Sequence, residues 1–154
     1  NDLVYGEDGD DLLHGQRGND RAYGSGGNDR LFGGNGDDIV NGGSGHDTIS
    51  GGEGADLIVG GGGNDRLYGD TAVAAADRFR FFADAGDDRI FDFQDNRDQL
   101  EFGGIFASVN DVLLATTASG DDAVIDLGGG NSLTLIDYLA AHTIASLGND
   151  ILLF

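Results

Sequence analysis

The sequence predicts an all-β chain, a β-solenoid of about four turns followed by a β-rich segment that caps it and carries one or two short helices. The first observation is a spacing: Asp2, Asp11, Asp20, Asp29, Asp38, Asp47, Asp56 and Asp65 stand nine residues apart without a slip. The second is that glycines keep the same step, in one column running from Gly6 and Gly15 through Gly69 and another from Gly9 and Gly18 through Gly63. The third is that two residues after each Asp comes Val4, Leu13, Ala22, Leu31, Val40, Ile49, Ile58 or Leu67. A fixed short period of this kind marks a repeat architecture, in which each unit must stack on its neighbours to bury anything.

Each unit reads G-x-x-G-x-D-x-U-x, where U is apolar, and divides into a turn and a strand. The glycines supply the backbone conformations of a tight turn, and the D-x-U-x stretch alternates sides with period two. Asp and U therefore face inward. Two units make one turn of the solenoid, and eight units give roughly 14–19 Å of stacked sheet. Outward positions are Leu3, Tyr5, Arg21, Tyr23, Ile39, Asn41, Leu57 and Val59 in odd units and Leu12, His14, Arg30, Phe32, Thr48, Ser50, Arg66 and Tyr68 in even ones. Ile39, Leu57 and Val59 are too apolar to leave in water, so the second half is expected to dock on that face.

Residues 1–70 thus form the repeat domain, and residues 71–154 follow a different grammar. Alternation around Phe79, Phe81, Ile90, Phe93, Leu100 and Phe102 predicts strands aromatic enough for a true core. The stretch from Val109 to Leu114 predicts a short helix or turn. Val124–Leu127 and Ser132–Ile136, joined by Gly128, Gly129, Gly130 and Asn131, predict a β-hairpin. Asp137 is expected to cap a helix running to Leu147, with Gly148 closing it.

Composition narrows the partners. The 154 residues include 29 Gly and no Pro, Cys, Met or Trp, and 28 acidic residues against 8 basic ones give a formal charge of −20. Without cysteine there is no disulfide framework and no thiolate chemistry. A chain this acidic is repelled by phosphate backbones and anionic lipid, so neither nucleic acid nor membrane insertion is expected. No apolar run approaches the ~20 residues of a spanning helix. Asn1 falls inside a pattern already running, which is expected of a piece of a longer protein.

One apolar residue per nine is a thin core, and carboxylates stacked eighteen residues apart repel one another. A hard divalent cation answers both problems. Calcium takes 6–8 oxygens, accepts backbone carbonyls beside carboxylates and tolerates irregular geometry, whereas magnesium demands near-ideal octahedra and keeps its waters. If units n and n+2 share an ion, the pairs are Asp2/Asp20, Asp20/Asp38 and Asp38/Asp56 on one edge and Asp11/Asp29, Asp29/Asp47 and Asp47/Asp65 on the other. Further oxygens are expected from the turn carbonyls of Gly9, Gly18, Gly27, Gly34, Gly36, Gly43, Gly45, Gly52, Gly54, Gly61 and Gly63. About six Ca²⁺ ions or more would be bound. Asp87, Asp88, Asp92 and Asp98 have two readings, one further calcium site or solvated turns.

The segments GGNGDDIVN, GGSGHDTIS, GGEGADLIV and GGGGNDRLY resemble the nonapeptide of the repeats-in-toxin (RTX) family. The resemblance spans residues 1–70 and implies a parallel β-roll with calcium between successive turns. Glu7, Gln16 and Ser25 depart from it by replacing the second glycine, and Ala22 is a small U. Beyond the repeats, the series DxFxF…GDDxIxDF…DxLxF and the tail Asp150-Ile-Leu-Leu-Phe154 are similar to the ends of serralysin-type and other type I secreted RTX proteins. That likeness implies a capping region with an uncleaved C-terminal secretion signal, a secreted, extracellular location and the type I secretion machinery as a partner. A plain structural reading, in which the last apolar strand completes a sheet, stands beside it.

The sequence carries no familiar catalytic motif. His14, His46 and His142 lie in no HExxH, no Ser sits in G-x-S-x-G, and there is no Lys for a phosphate-binding loop. His46 occupies the variable slot before a repeat Asp and reads as a turn residue, while His14 and His142 read as surface. The chain is therefore read as no enzyme in itself, with any catalytic domain upstream. The leading function is a calcium-binding module that folds after export and caps a secreted protein. The alternative is an adhesive or polysaccharide-binding module using Tyr5, Tyr23 and Arg21, or Phe32, Arg30, Tyr68 and Arg66, as an accessory to an upstream enzyme.

Overall fold

The structure is a computed structural model that describes residues 1–69, 75–94, 96–138 and 143–154. The nonapeptides form eight strands, β1 (Leu3–Asp8), β2 (Leu12–Arg17), β3 (Arg21–Gly26), β4 (Arg30–Asn35), β5 (Ile39–Ser44), β6 (Thr48–Glu53), β7 (Leu57–Gly62) and β8 (Arg66–Tyr68). Odd strands build one sheet and even strands the other, each pairing in parallel with the strand two units away. Because the step is eighteen residues, like positions stack on like. One inward column runs Val4, Ala22, Val40, Ile58 and the other Leu13, Leu31, Ile49, Leu67. Leu31, Val40, Ile49, Ile58 and Leu67 are fully buried.

The second half was expected on the outer face of Ile39, Leu57 and Val59, where Val59 is buried and Ile39 and Leu57 are half-buried. Its described strands extend both sheets along the roll axis. They are β9 (Arg78–Phe81), β10 (Asp87–Ile90) and β11 (Gln99–Phe102), then β12 (Thr116–Ser119), β13 (Asp122–Gly128), β14 (Asn131–Leu135) and β15 (Ile151–Leu153). One sheet runs β1-β3-β5-β7-β9-β11-β15 and the other β12-β13-β14-β10-β8-β6-β4-β2. The inward columns carry through, as Ile58–Phe79–Leu100–Ile151 and Leu67–Ile90–Leu135. Stacking wins because an open sheet end offers both unpaired backbone groups and an apolar rim, whereas a lateral face offers only the latter. With β9 and β10 the roll reaches a fifth turn.

Larger residues widen the core toward this end. Phe79, Phe81, Phe102, Leu100, Ile125, Leu133 and Leu135 are all buried, and Phe81 and Phe102 lie 5.8 Å apart by ring centroid. Glu101 is buried at the flank and is held by Arg80 and Arg78. The sheet that includes β12–β14 turns antiparallel there, and the expected hairpin forms around three glycines of positive φ.

The two helices are short. The stretch at Val109 is helical as α1 (Val109–Ala115), capped by Ser108. The last helix differs from expectation, since its described part is α2 (Ile144–Leu147), and Thr143 and Ser146 close a capping box around its start. The N-cap of α2 is Thr143 and not Asp137, which adopts φ 55° and donates its N–H to Asp122. His142 lies outside the described residues.

Candidate metal centre

The repeat aspartates are built into the roll by a steric device that begins with the inward glycine column. A β-carbon placed on Gly42 would lie 2.6 Å from the Gly60 carbonyl oxygen and 2.7 Å from Asp47 Cγ. The same crowding recurs at Gly6, Gly15, Gly24, Gly33, Gly51 and Gly60, each against the repeat Asp five residues on, and at Gly69 against Asp77. Glycine is required at this column to make room for a carboxylate, which folds beneath the preceding strand and is buried: Asp20, Asp29, Asp38, Asp47, Asp56 and Asp65 are each 2% exposed or less. Spacing alone did not assign this column to the site. The signal was the strict five-residue offset from Gly to Asp.

Inside, the carboxylates form a ladder along each corner. The N–H of Asp11 donates to Asp29 Oδ1 at 2.8 Å, that of Asp20 to Asp38 at 2.7 Å, that of Asp29 to Asp47 at 2.8 Å, that of Asp38 to Asp56 at 2.8 Å and that of Asp47 to Asp65 at 2.8 Å. Asp2 donates likewise to Asp20. All six aspartate pairs expected from the spacing are thus brought together. The Oδ1 atoms of Asp20, Asp29, Asp38, Asp47, Asp56 and Asp65 are satisfied. The other carboxylate oxygen, Oδ2, is buried without a hydrogen-bond partner in Asp11, Asp20, Asp29, Asp38, Asp47 and Asp65.

The turns present carbonyls between the same layers. Gly9, Gly18, Gly27, Gly36, Gly45, Gly54 and Gly63 all have positive φ, as do Gly34, Gly43, Gly52 and Gly61. A β-carbon on Gly27 or Gly45 would strike the carbonyl oxygen of Gly9 or Gly27 one turn below. The three departures from the motif, Glu7, Gln16 and Ser25, keep the conformation at φ 75°, 78° and 84°. They bear the strain of a left-handed non-glycine residue, ~1–2 kcal/mol each.

A second ladder runs through the variable slot in the opposite sense. Asn28 and His46 donate their N–H groups to Asp10 and Asn28, and Asn64 donates to His46 Nδ1 at 2.9 Å. His46 is therefore a turn residue, as read from sequence. His14 stacks on Phe32 at 4.7 Å on the outer face.

A donor set of carboxylate and carbonyl oxygens suits a hard cation such as calcium. Among the described residues no three His, Asp or Glu side chains gather into one cluster, so an ion must complete its shell from carbonyls. An anionic oxygen buried without a hydrogen-bond donor calls for a cation or a proton. Burial holds the Asp38 and Asp47 carboxyls above their usual range and pushes Asp65 up to about 6. The hydrogen bond from Asp2 holds Asp20 below its usual value. Asp87, Asp88, Asp92 and Asp98 do not form one site. Asp88 and Asp98 extend opposite corners, accepting from Asp65 and Asp77, while Asp92 accepts from Gly69.

Comparison with known proteins agrees with this geometry. The RTX calcium-binding nonapeptide repeat (4 copies) matches residues 1–22, 14–49 and 41–71. Among curated proteins none matches the chain. Among solved structures, the AlgE6R3 subunit of the Azotobacter vinelandii mannuronan C5-epimerase is 27% identical, with a TM-score of 0.53 over 94% of this chain and 78% of that one. The AlgE6R2 subunit of the same enzyme is 24% identical, with a TM-score of 0.47 over 99% and 92%. The extracellular lipase LipA of Serratia marcescens is 19% identical, with a TM-score of 0.39 over 99% of this chain and 40% of the lipase.

Proposed function

We propose that this chain, whose residues 1–71 match the RTX calcium-binding nonapeptide repeat, is a module that folds as calcium binds after export and then caps and stabilises a secreted bacterial protein. The observation that carries this is the row of buried Oδ2 atoms without donors in a chain of charge −20. Calcium sits between successive turns at the six aspartate pairs, with the turn carbonyls completing its shell. Six such ions lower the net charge to about −8.

Folding and binding are then one equilibrium. The site exists only when turns are stacked, so the free energy of binding is free energy of folding. Where calcium is scarce, self-repulsion keeps the chain extended and fit for threading through the type I secretion machinery. Outside the cell, the ions draw the corners together. The test is small-angle scattering in chelator and in calcium. A chain of this length is expected to contract from a radius of gyration of about 40 Å to about 15–20 Å. Equal radii in both conditions would overturn calcium-driven folding.

A second reading, a polysaccharide-binding face, is favoured by one feature. Tyr5 stacks on Tyr23 at 5.2 Å and Tyr68 on Phe91 at 4.9 Å on outer faces that also carry Arg21, Arg30, Arg66 and Arg89. Its test is retention of the calcium-loaded chain on a neutral polysaccharide matrix, lost in Tyr23→Ala.

A further inference from the structure

The corner that carries Asp11, Asp29, Asp47 and Asp65 does not stop where the nonapeptides stop. The next step along it is 23 residues instead of 18, and it lands on Gly86-Asp87-Asp88-Arg89-Ile90, which repeats the G-x-D-x-U half of the motif. The backbone bonds of the preceding step recur, although Ala83 stands five residues before Asp88 where Gly60 stands before Asp65. Asp65 donates its N–H to Asp88 Oδ1 at 2.9 Å, as Asp47 does to Asp65. Arg89 donates to the Asp65 carbonyl as Arg66 does to that of Asp47, and Gly63 donates to Ala85 as Gly45 does to Gly62. Gly86 has φ 89°, and a β-carbon there would strike the Gly63 carbonyl, just as one on Gly63 would strike that of Gly45. The variable-slot ladder continues too, from Asp87 N–H to Asn64 Oδ1 at 3.1 Å.

Asp88 is 1% exposed, and its Oδ2, like that of Asp65, is buried without a hydrogen-bond partner. Asp87 points elsewhere, since its carboxylate accepts from the Ser132 hydroxyl at 2.8 Å. We infer that a further calcium ion is held between the Gly63–Asp65 turn and the Gly86–Asp88 turn, by Asp65, Asp88 and the turn carbonyls, outside the nonapeptide run. Asp65 belongs to the last repeat and Asp88 to the second half, so this ion ties the two halves of the chain together. The inference rests on the calcium reading of the repeats proposed above.

Two measurements test it. In Asp88→Asn the Oδ1 acceptor is kept and the charge is removed. Calcium titration of the full chain by calorimetry should then show one ion fewer than the parent, with the transition of the repeats retained. Unchanged stoichiometry and affinity would overturn the inference. Should that variant fail to fold, crystals of the unchanged chain grown in calcium decide the matter through anomalous difference density. A peak between Asp65 and Asp88 is expected. Peaks along Asp11–Asp65 with none at Asp88 would overturn this site alone, whereas no calcium uptake anywhere would overturn the reading beneath it.

Discussion

Gly42→Ala tests how the ladder is built. The added methyl would sit 2.6 Å from the Gly60 carbonyl oxygen and 2.7 Å from Asp47 Cγ, about 1 Å inside ordinary contact. Gly60 is backbone of the next stacked layer and cannot retreat, so Asp47 must rotate out. It then gives up the 2.8 Å bond from the Asp29 N–H, which leaves a buried donor bare at a cost of ~1–3 kcal/mol. Overpacking adds ~1–3 kcal/mol. Since the calcium transition is shared among six aspartate pairs, a total of ~2–6 kcal/mol raises the calcium midpoint about two- to five-fold. The assay is a calcium titration followed by circular dichroism, with Ser50→Ala on the outward side of the roll as a control that should move the midpoint little. A Gly42→Ala midpoint equal to the parent's would refute the claim that this glycine exists to admit the carboxylate.

Other outcomes follow from the same geometry. Asp47→Asn keeps the Oδ1 acceptor and removes one charge, so its calcium affinity should fall while its residual structure in chelator rises; a fall in both would contradict the charge argument. Burial pushes Asp65 up to about 6 and Asp88 up to about 8, so the folded chain holds protons that the unfolded chain has already released. Metal-free stability should therefore fall as pH rises from about 4 through about 8. The small residual β signal of the metal-free chain by far-UV circular dichroism, compared in chelator near pH 5 and pH 8, checks this, and a larger signal at pH 8 would contradict it. Phe102→Ala removes a fully buried ring and should cost ~3–5 kcal/mol, read as a drop in the thermal midpoint of the calcium-loaded chain.

The repeat half was legible because its physics is periodic. A step of nine with two units per turn places Asp over Asp and U over U, so Asp29, Asp47 and Leu31 could be located before any coordinates. The second half hides the same arrangement behind uneven steps. Phe79 continues the column of Ile58 after 21 residues and Ile90 that of Leu67 after 23, and a search at fixed period passes over both. Apolarity at Ile39, Leu57 and Val59 pointed to a covered outer face, and Val59 is buried, but apolarity alone omits the pull of an unpaired sheet end on the strands of the second half. The inward glycine column showed its period in the sequence but not its purpose, because the reason for it, the space taken by the next carboxylate, is a contact between different strands. Likewise Asp137 has the residue type of a helix cap, yet Thr143 with Ser146 offers a reciprocal box that a single carboxylate does not.

The central claim is that the cation makes the fold. Its most direct test is far-UV circular dichroism of the metal-free chain during a calcium titration, with magnesium as the control. The account predicts a steep coil-to-β transition in calcium and none at equal magnesium. A chain already rich in β structure in chelator, or one that folds equally well in magnesium, would contradict it.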